Sequence, residues 1–205
     1  MKVSHVEVLV EEESMAVALQ ALLPRILGSV NFAVYRNRCK ADLLKRLPER
    51  LKGCAAWLPE DWRIAVLIDR DDEDCHELKG RLERMAAEAN LMTRTRASGA
   101  GWQVVNRLAI EELEAWHFGD WDAVRAAYPK APAGIPFRAR FRNPDAVAGG
   151  TWEAFETVLR RAGYFRTGLR KLEAARAIAE NWNPDRNRSR SFQVFRDAMR
   201  DLASL

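Results

Sequence analysis

Cysteine and histidine are scarce in this sequence, three of each in 205 residues. Cys39, Cys54 and Cys75 contain no Cys-x-x-Cys pair, and an odd number at scattered spacings builds no disulfide framework, so they read as reduced thiols of a cytoplasmic protein. His5, His76 and His117 are equally isolated, with no His-x-x-x-His or His-Glu-x-x-His spacing to hold zinc. Long apolar runs are missing as well. The amino-terminal stretch is broken by His5 and Glu7 before it could form a signal-peptide core, and nothing approaches the roughly 20 residues that span a bilayer, so no membrane role is expected. Ser98-Gly99-Ala100-Gly101 is not followed by Gly-Lys-Ser/Thr, which makes it a flexible loop and not a phosphate loop.

What is present is an ordinary globular balance, 48% hydrophobic and 30% charged residues, enough for one sizeable core. A formal net charge of +4 leans towards a polyanionic partner without establishing one. The most informative stretch is Arg63-Ile64-Ala65-Val66-Leu67-Ile68-Asp69-Arg70-Asp71-Asp72. An unbroken apolar run with charge at both ends predicts a strand buried on both faces of a parallel sheet, with its acids at the carboxyl edge, where open α/β sheets bind ligands. In an extended chain Asp69 and Asp71 lie on the same side. Paired carboxylates there suit a hard cation, Mg2+ or Mn2+; the competing reading is a solvated turn in which Asp71 or Asp72 caps a helix from Glu73 to Asn90.

Before that strand, Val3 to Val10 predicts a strand that also ends in acid, Glu11-Glu12-Glu13, followed by a helix with Met15, Leu19, Leu22, Leu23 and Ile26 at helical spacing. The acids have a simpler reading too, as first-turn residues favoured by the helix dipole. Val30 to Tyr35 predicts a strand. Ala41 to Trp57 predicts one kinked or two short helices around Pro48. Met92 to Ala97 and Trp102 to Leu108 predict two further strands. Strands separated by helices imply a mostly parallel sheet covered on both faces. The expected organisation is an α/β core over residues 1–109 and a helical extension over 110–205, packed as one unit.

The second half reads as helical. Ile110 to Phe118 would place Glu111 and Glu114 on one face, either a metal or base pair or a solvated surface. Pro129 to Pro144 reads as a long loop, Thr151 to Ala162 as a helix with a Thr cap, and Leu169 to Glu180 and Phe192 to Leu202 as two more helices. Ahead of the last, Arg186, Arg188 and Arg190 alternate with Asn and Ser; they either grip successive phosphates or pair with surface acids. Seven Trp residues, several outside the strands, make a protein interface credible.

Leu9-Val10-Glu11 closing one strand and Ile68-Asp69-Arg70-Asp71 closing another resemble the Toprim fold of topoisomerases, primases and overcoming-lysogenization-defect nucleases. Ile110-Glu111-Glu112-Leu113-Glu114-Ala115-Trp116 and Asn187-Arg188-Ser189-Arg190-Ser191-Phe192 resemble stretches of the bacterial domain of unknown function 4276, a Toprim-like family often encoded near ATPases of the structural-maintenance type. The resemblance implies that Glu11 is a metal ligand or acid/base and that Asp69 and Asp71 bind metal. It departs from the pattern twice: Glu12 stands where Gly is usual, and Met15 where some nucleases carry a further acid, which Asp72, Glu111 or Glu114 would have to replace. The expected function is a nuclease or related phosphoryl-transfer enzyme using Mg2+ or Mn2+, with Lys171, Arg186, Arg188 and Arg190 against DNA or RNA and a neighbouring ATPase as partner. The alternative is a non-catalytic nucleic-acid-binding or protein-interaction module. Oligomeric state is not legible.

Overall fold

A computed structural model describes residues 2–205. Four parallel strands, β1 (His5–Val10), β2 (Asn31–Arg36), β3 (Trp62–Asp69) and β4 (Val104–Ala109), lie in the order β2-β1-β3-β4. The apolar run from Ile64 to Ile68 is buried throughout, because β3 is flanked by a strand on each side and covered on both faces. Its alternate side chains divide the core: Ala65 and Leu67 join one cluster, Ile64, Val66 and Ile68 the other.

Between the strands run α1 (Glu13–Leu27), α2 (Lys40–Trp57) and α3 (Cys75–Glu88). Helix α1 packs on one face of the sheet, α2 and α3 on the other. Helix α2 runs continuously through Pro48 and needs no division there. The cap of α3 is Asp74, whose carboxylate accepts from the His76 and Glu77 amides, and not Asp71 or Asp72. Residues 92–97 form no strand. Only Thr93 makes an isolated parallel bridge, to Val104, and the fourth strand is the later of the two candidates.

The carboxyl-terminal half contributes α4 (Leu113–Gly119), α5 (Trp121–Ala127), α6 (Thr151–Arg161), α7 (Lys171–Ala179) and α8 (Arg190–Ala203). Three short 3-10 turns fill the expected loop between α5 and α6. Helix α6 begins at Thr151, but its N-cap is Gly150, and the Thr151 hydroxyl is buried without a partner. One continuous core joins the halves, from Val6 and Leu19 to Trp116, Phe155, Phe195 and Leu202. Helix α1 packs along α7, and the Arg25 guanidinium, near the end of α1, donates to the carbonyls of Ala179, Glu180 and Trp182 at the end of α7. Carbonyls at and just past a helix end lack partners within the helix, so a cation is well placed there. Trp102, Trp116, Trp121 and Trp182 are buried, which assigns most of the tryptophans to the core and not to an interface.

Candidate functional site

Because all strands are parallel, their carboxyl ends open on a single edge; β1, β3 and β4 deliver acids to it and β2 delivers Lys40. Glu11 directly follows β1 and Asp69 closes β3; both are buried. The Asp69 amide donates to Glu11 Oε2 at 3.3 Å, so the two strand ends are tied through a carboxylate. Asp69 Oδ1 is buried with no hydrogen-bond partner. Burial, then the neighbouring Glu11 charge, holds the Asp69 carboxyl well above the usual range. Burial and the Asp71 carboxylate push Glu11 up to about 7.

The segment after β4 adds two more acids. Glu114, in the first turn of α4, is only 3% exposed. Burial pushes it up to about 7 against the opposing pull of the Lys171 ammonium. Burial likewise raises Glu112, whose Oε2 lies 3.5 Å from Lys171 Nζ. Burial works against the Lys171 charge, but Glu114, Glu112, Glu12 and Asp69 outweigh it and raise its pKa. Lys171 also stands 5.5 Å from the Trp152 ring centre, a cation–π distance. It therefore faces the acids from the start of α7.

A second lysine flanks the cluster. Lys40, at the start of α2, donates to the Arg70 carbonyl at 2.8 Å and reaches Asp71 Oδ2 at 3.1 Å and Glu73 Oε1 at 2.8 Å. Although burial opposes its charge, these carboxylates raise its pKa. Asp71 does not continue the strand: its φ of 51° is left-handed, and its amide donates to the Glu111 carbonyl at 3.1 Å. Glu111 has a φ of 64° and an ion pair with Arg70. Two adjacent loops held in a sparsely populated backbone region cost of the order of 1 kcal/mol per residue, a cost that concentrates at functional sites.

Several sequence expectations change here. Asp69 and Asp71 are not equivalent partners on an extended strand, since one is buried at the strand end and the other half-exposed on Lys40. Glu111 precedes α4, so it shares no helical face with Glu114, and Glu114 is buried instead of solvated. Asp72 is exposed, and its carboxylate makes no hydrogen bond or ion pair among the described residues. Met15 is core, so α1 supplies no acid there. Glu12 adopts extended backbone, φ −138°, and its position asks for no glycine. Lys171 belongs to the acid cluster, beside Glu112 and Glu114. Arg186 is paired with buried Asp120 at 2.7 Å, whereas Arg188 and Arg190 are exposed and make no ion pair among the described residues.

The sequence reading missed Glu112 and Lys40. Lys40 had a usable signal, because it follows β2 on the same sheet edge; Glu112 was hidden by a helix start placed three residues early.

The donor set, all carboxylate oxygens with one buried and unpartnered, suits a hard divalent cation in kind. Among the described residues no three His, Cys, Asp or Glu side chains are already drawn together as a metal cage. A family model for a domain of unknown function, DUF4276, matches residues 10–200, a span that holds every acid of this edge. The chain belongs to the DUF4276 family. No curated protein and no solved structure matches it. No helix among the described residues is long and apolar enough to cross a membrane.

Proposed function

We propose that this DUF4276 protein is a divalent-metal-dependent phosphodiesterase, a nuclease of Toprim-like design that works in the cytoplasm on DNA or RNA, with a neighbouring ATPase as partner. The single observation that carries the reading is the buried Asp69 carboxyl beside Glu11, its Oδ1 without a partner at the ligand-binding edge of a parallel sheet. Unpaired buried carboxylates are costly, and function is the usual reason to keep them. Glu11, Asp69 and Asp71 would hold Mg2+ or Mn2+, with Glu112 and Glu114 close behind. Mg2+ commonly takes one or two carboxylates and fills its remaining positions with water and substrate phosphate, so a preformed three-ligand cage is not required. When bound, the cation supplies charge stabilisation on a phosphate oxygen and an acidified water.

The rest falls to the chain itself. Lys171, kept charged by the surrounding acids, sits where it can neutralise a phosphate drawn to the cluster. Glu114, pushed up to about 7, can hold or release a proton at working pH. Arg188 and Arg190, exposed and without ion pairs, offer phosphate contacts that read no sequence.

The test is cleavage of single- and double-stranded DNA and RNA with Mg2+ or Mn2+, with and without the genomically adjacent ATPase. Asp69→Asn is expected to lose cleavage by at least about a hundredfold and to lose the thermal stabilisation given by Mn2+. If the wild-type protein leaves every substrate intact under all these conditions, the catalytic reading falls and an interaction module remains.

A further inference from the structure

A second feature lies away from the acids, at the open edge of the sheet. Strand β4 has β3 on one side only, and on its free side a cavity of about 420 Å³ opens between α3 and α8. That is within the range of pockets that take small organic ligands. Leu108, Ile110 and Val194 supply its apolar surface, and Lys79, Arg107 and Arg190 bring three cations to it. Its one acid, Asp145, is already committed, because its two oxygens accept from Ser189 and from the amide and hydroxyl of Ser191.

Arg107 is the anomaly. It is 9% exposed, makes no ion pair among the described residues, and donates through Nη1 only to the carbonyl of Asn106 at 2.8 Å, leaving Nε buried without a partner. Nearby carboxylates are engaged elsewhere: Glu83 by Lys79 and Asn106, Asp201 by Arg94. Burial pushes Arg107 down to about 10, which still leaves it a cation at neutral pH. A buried guanidinium without an ion-pair partner is costly, and an anion in the adjoining cavity would offset that cost. Asn106 lines the same cavity, is fully buried, and has an unpartnered Oδ1 that would accept from a ligand N–H or O–H.

We propose that the cavity between α3 and α8 binds a small organic anion, its carboxylate or phosphate head on Arg107 and its apolar body against Leu108, Ile110 and Val194. The ligand would touch Ile110, two residues before Glu112, so the site abuts the segment that carries the acids yet shares no side chain with them. Arg190 borders both this cavity and the phosphate contacts proposed above, whereas Arg107, Asn106 and Val194 belong to the cavity alone.

The test uses the full chain in a chelating buffer, so that no cation at the carboxylate cluster contributes. Calorimetric titration compares phenyl phosphate and phenylacetate, which carry head and body, with inorganic phosphate and benzyl alcohol, which carry one each. At least one aromatic anion is expected to bind about tenfold or more tightly than either half alone, and the preferred head separates phosphate from carboxylate ligands. Arg107→Gln should weaken that binding about tenfold or more. Val194→Trp, at an exposed position on α8, should abolish it by filling the cavity, and decides the matter if Arg107→Gln does not fold. Failure of both aromatic anions to bind, or binding unchanged in Val194→Trp, would overturn the proposal.

Discussion

At the scale of single residues, Glu114 shows how far burial changes an acid. Pushed up to about 7 by burial, its pKa lies above the ordinary value of 4.5, so between those two values the folded chain holds a proton that the unfolded chain has released. Stability from this group is therefore full below about 4.5 and lost as pH rises through about 7; Glu11 acts in the same direction. The melting temperature in chelating buffer should fall by of the order of 5 °C from pH 5 to pH 8, and Glu114→Gln should flatten the fall by keeping that position uncharged. A flat wild-type profile over that range would show that these carboxyls are not buried as described. Glu11 and Asp69 were legible in the sequence because each ends an apolar run. Glu114 was a candidate from its spacing, but its burial was not legible and Glu112 was missed, since spacing does not reveal which side of a helix start a residue occupies.

At the scale of elements, the Asn187 to Ser191 segment divides its alternation between two tasks. Asn187, Ser189 and Ser191 face inwards: the Asn187 amide donates to the Trp116 carbonyl, Ser189 caps α8 by accepting from the Phe192 amide, and Ser191 accepts from Trp116 Nε1 at 2.9 Å. Arg188 and Arg190 face out. Ser189→Ala removes both the cap and a bond to Asp145, and should cost about 1–2 kcal/mol in urea unfolding. Arg188→Ala with Arg190→Ala should leave stability unchanged. The double variant should weaken nucleic-acid binding evenly across sequences and reduce its salt slope by about 2, read from binding isotherms at several salt concentrations. Period-two alternation usually signals a strand; here it marks a latch, and only the packing of α4 against α8 reveals that. Residues 92–97 failed as a strand for the related reason that pairing, and not residue preference, makes one.

At the scale of the whole molecule, the common direction of the strands puts the acids on one edge, while a shared core determines what can be cut away. The sequence changes character near residue 110, and that change is real in secondary structure but not in packing, since α1 buries its apolar face against α7 and α8. A fragment of residues 1–109 should be unfolded or aggregated by circular dichroism and gel filtration, because it leaves that face of α1 and the outer side of β4 uncovered. The parallel α/β class was legible from the spacing of apolar runs; the dependence of one half on the other was not, because helices of both halves show the same periodicity whichever partner they meet.

The Arg25 clamp gives this packing a mechanical meaning. Helices α1 and α7 run side by side, their far ends pinned by one guanidinium and their near ends carrying Glu12 and Lys171. They form a splint: the gap between ammonium and acids is gauged from about 13 Å away, the length of nine helical residues. Loosening the far pin with Arg25→Ala should let Lys171 swing off its carboxylates. Glu112 and Glu114 would then lose a counter-charge and titrate higher, a change visible by NMR in side chains the substitution never touches.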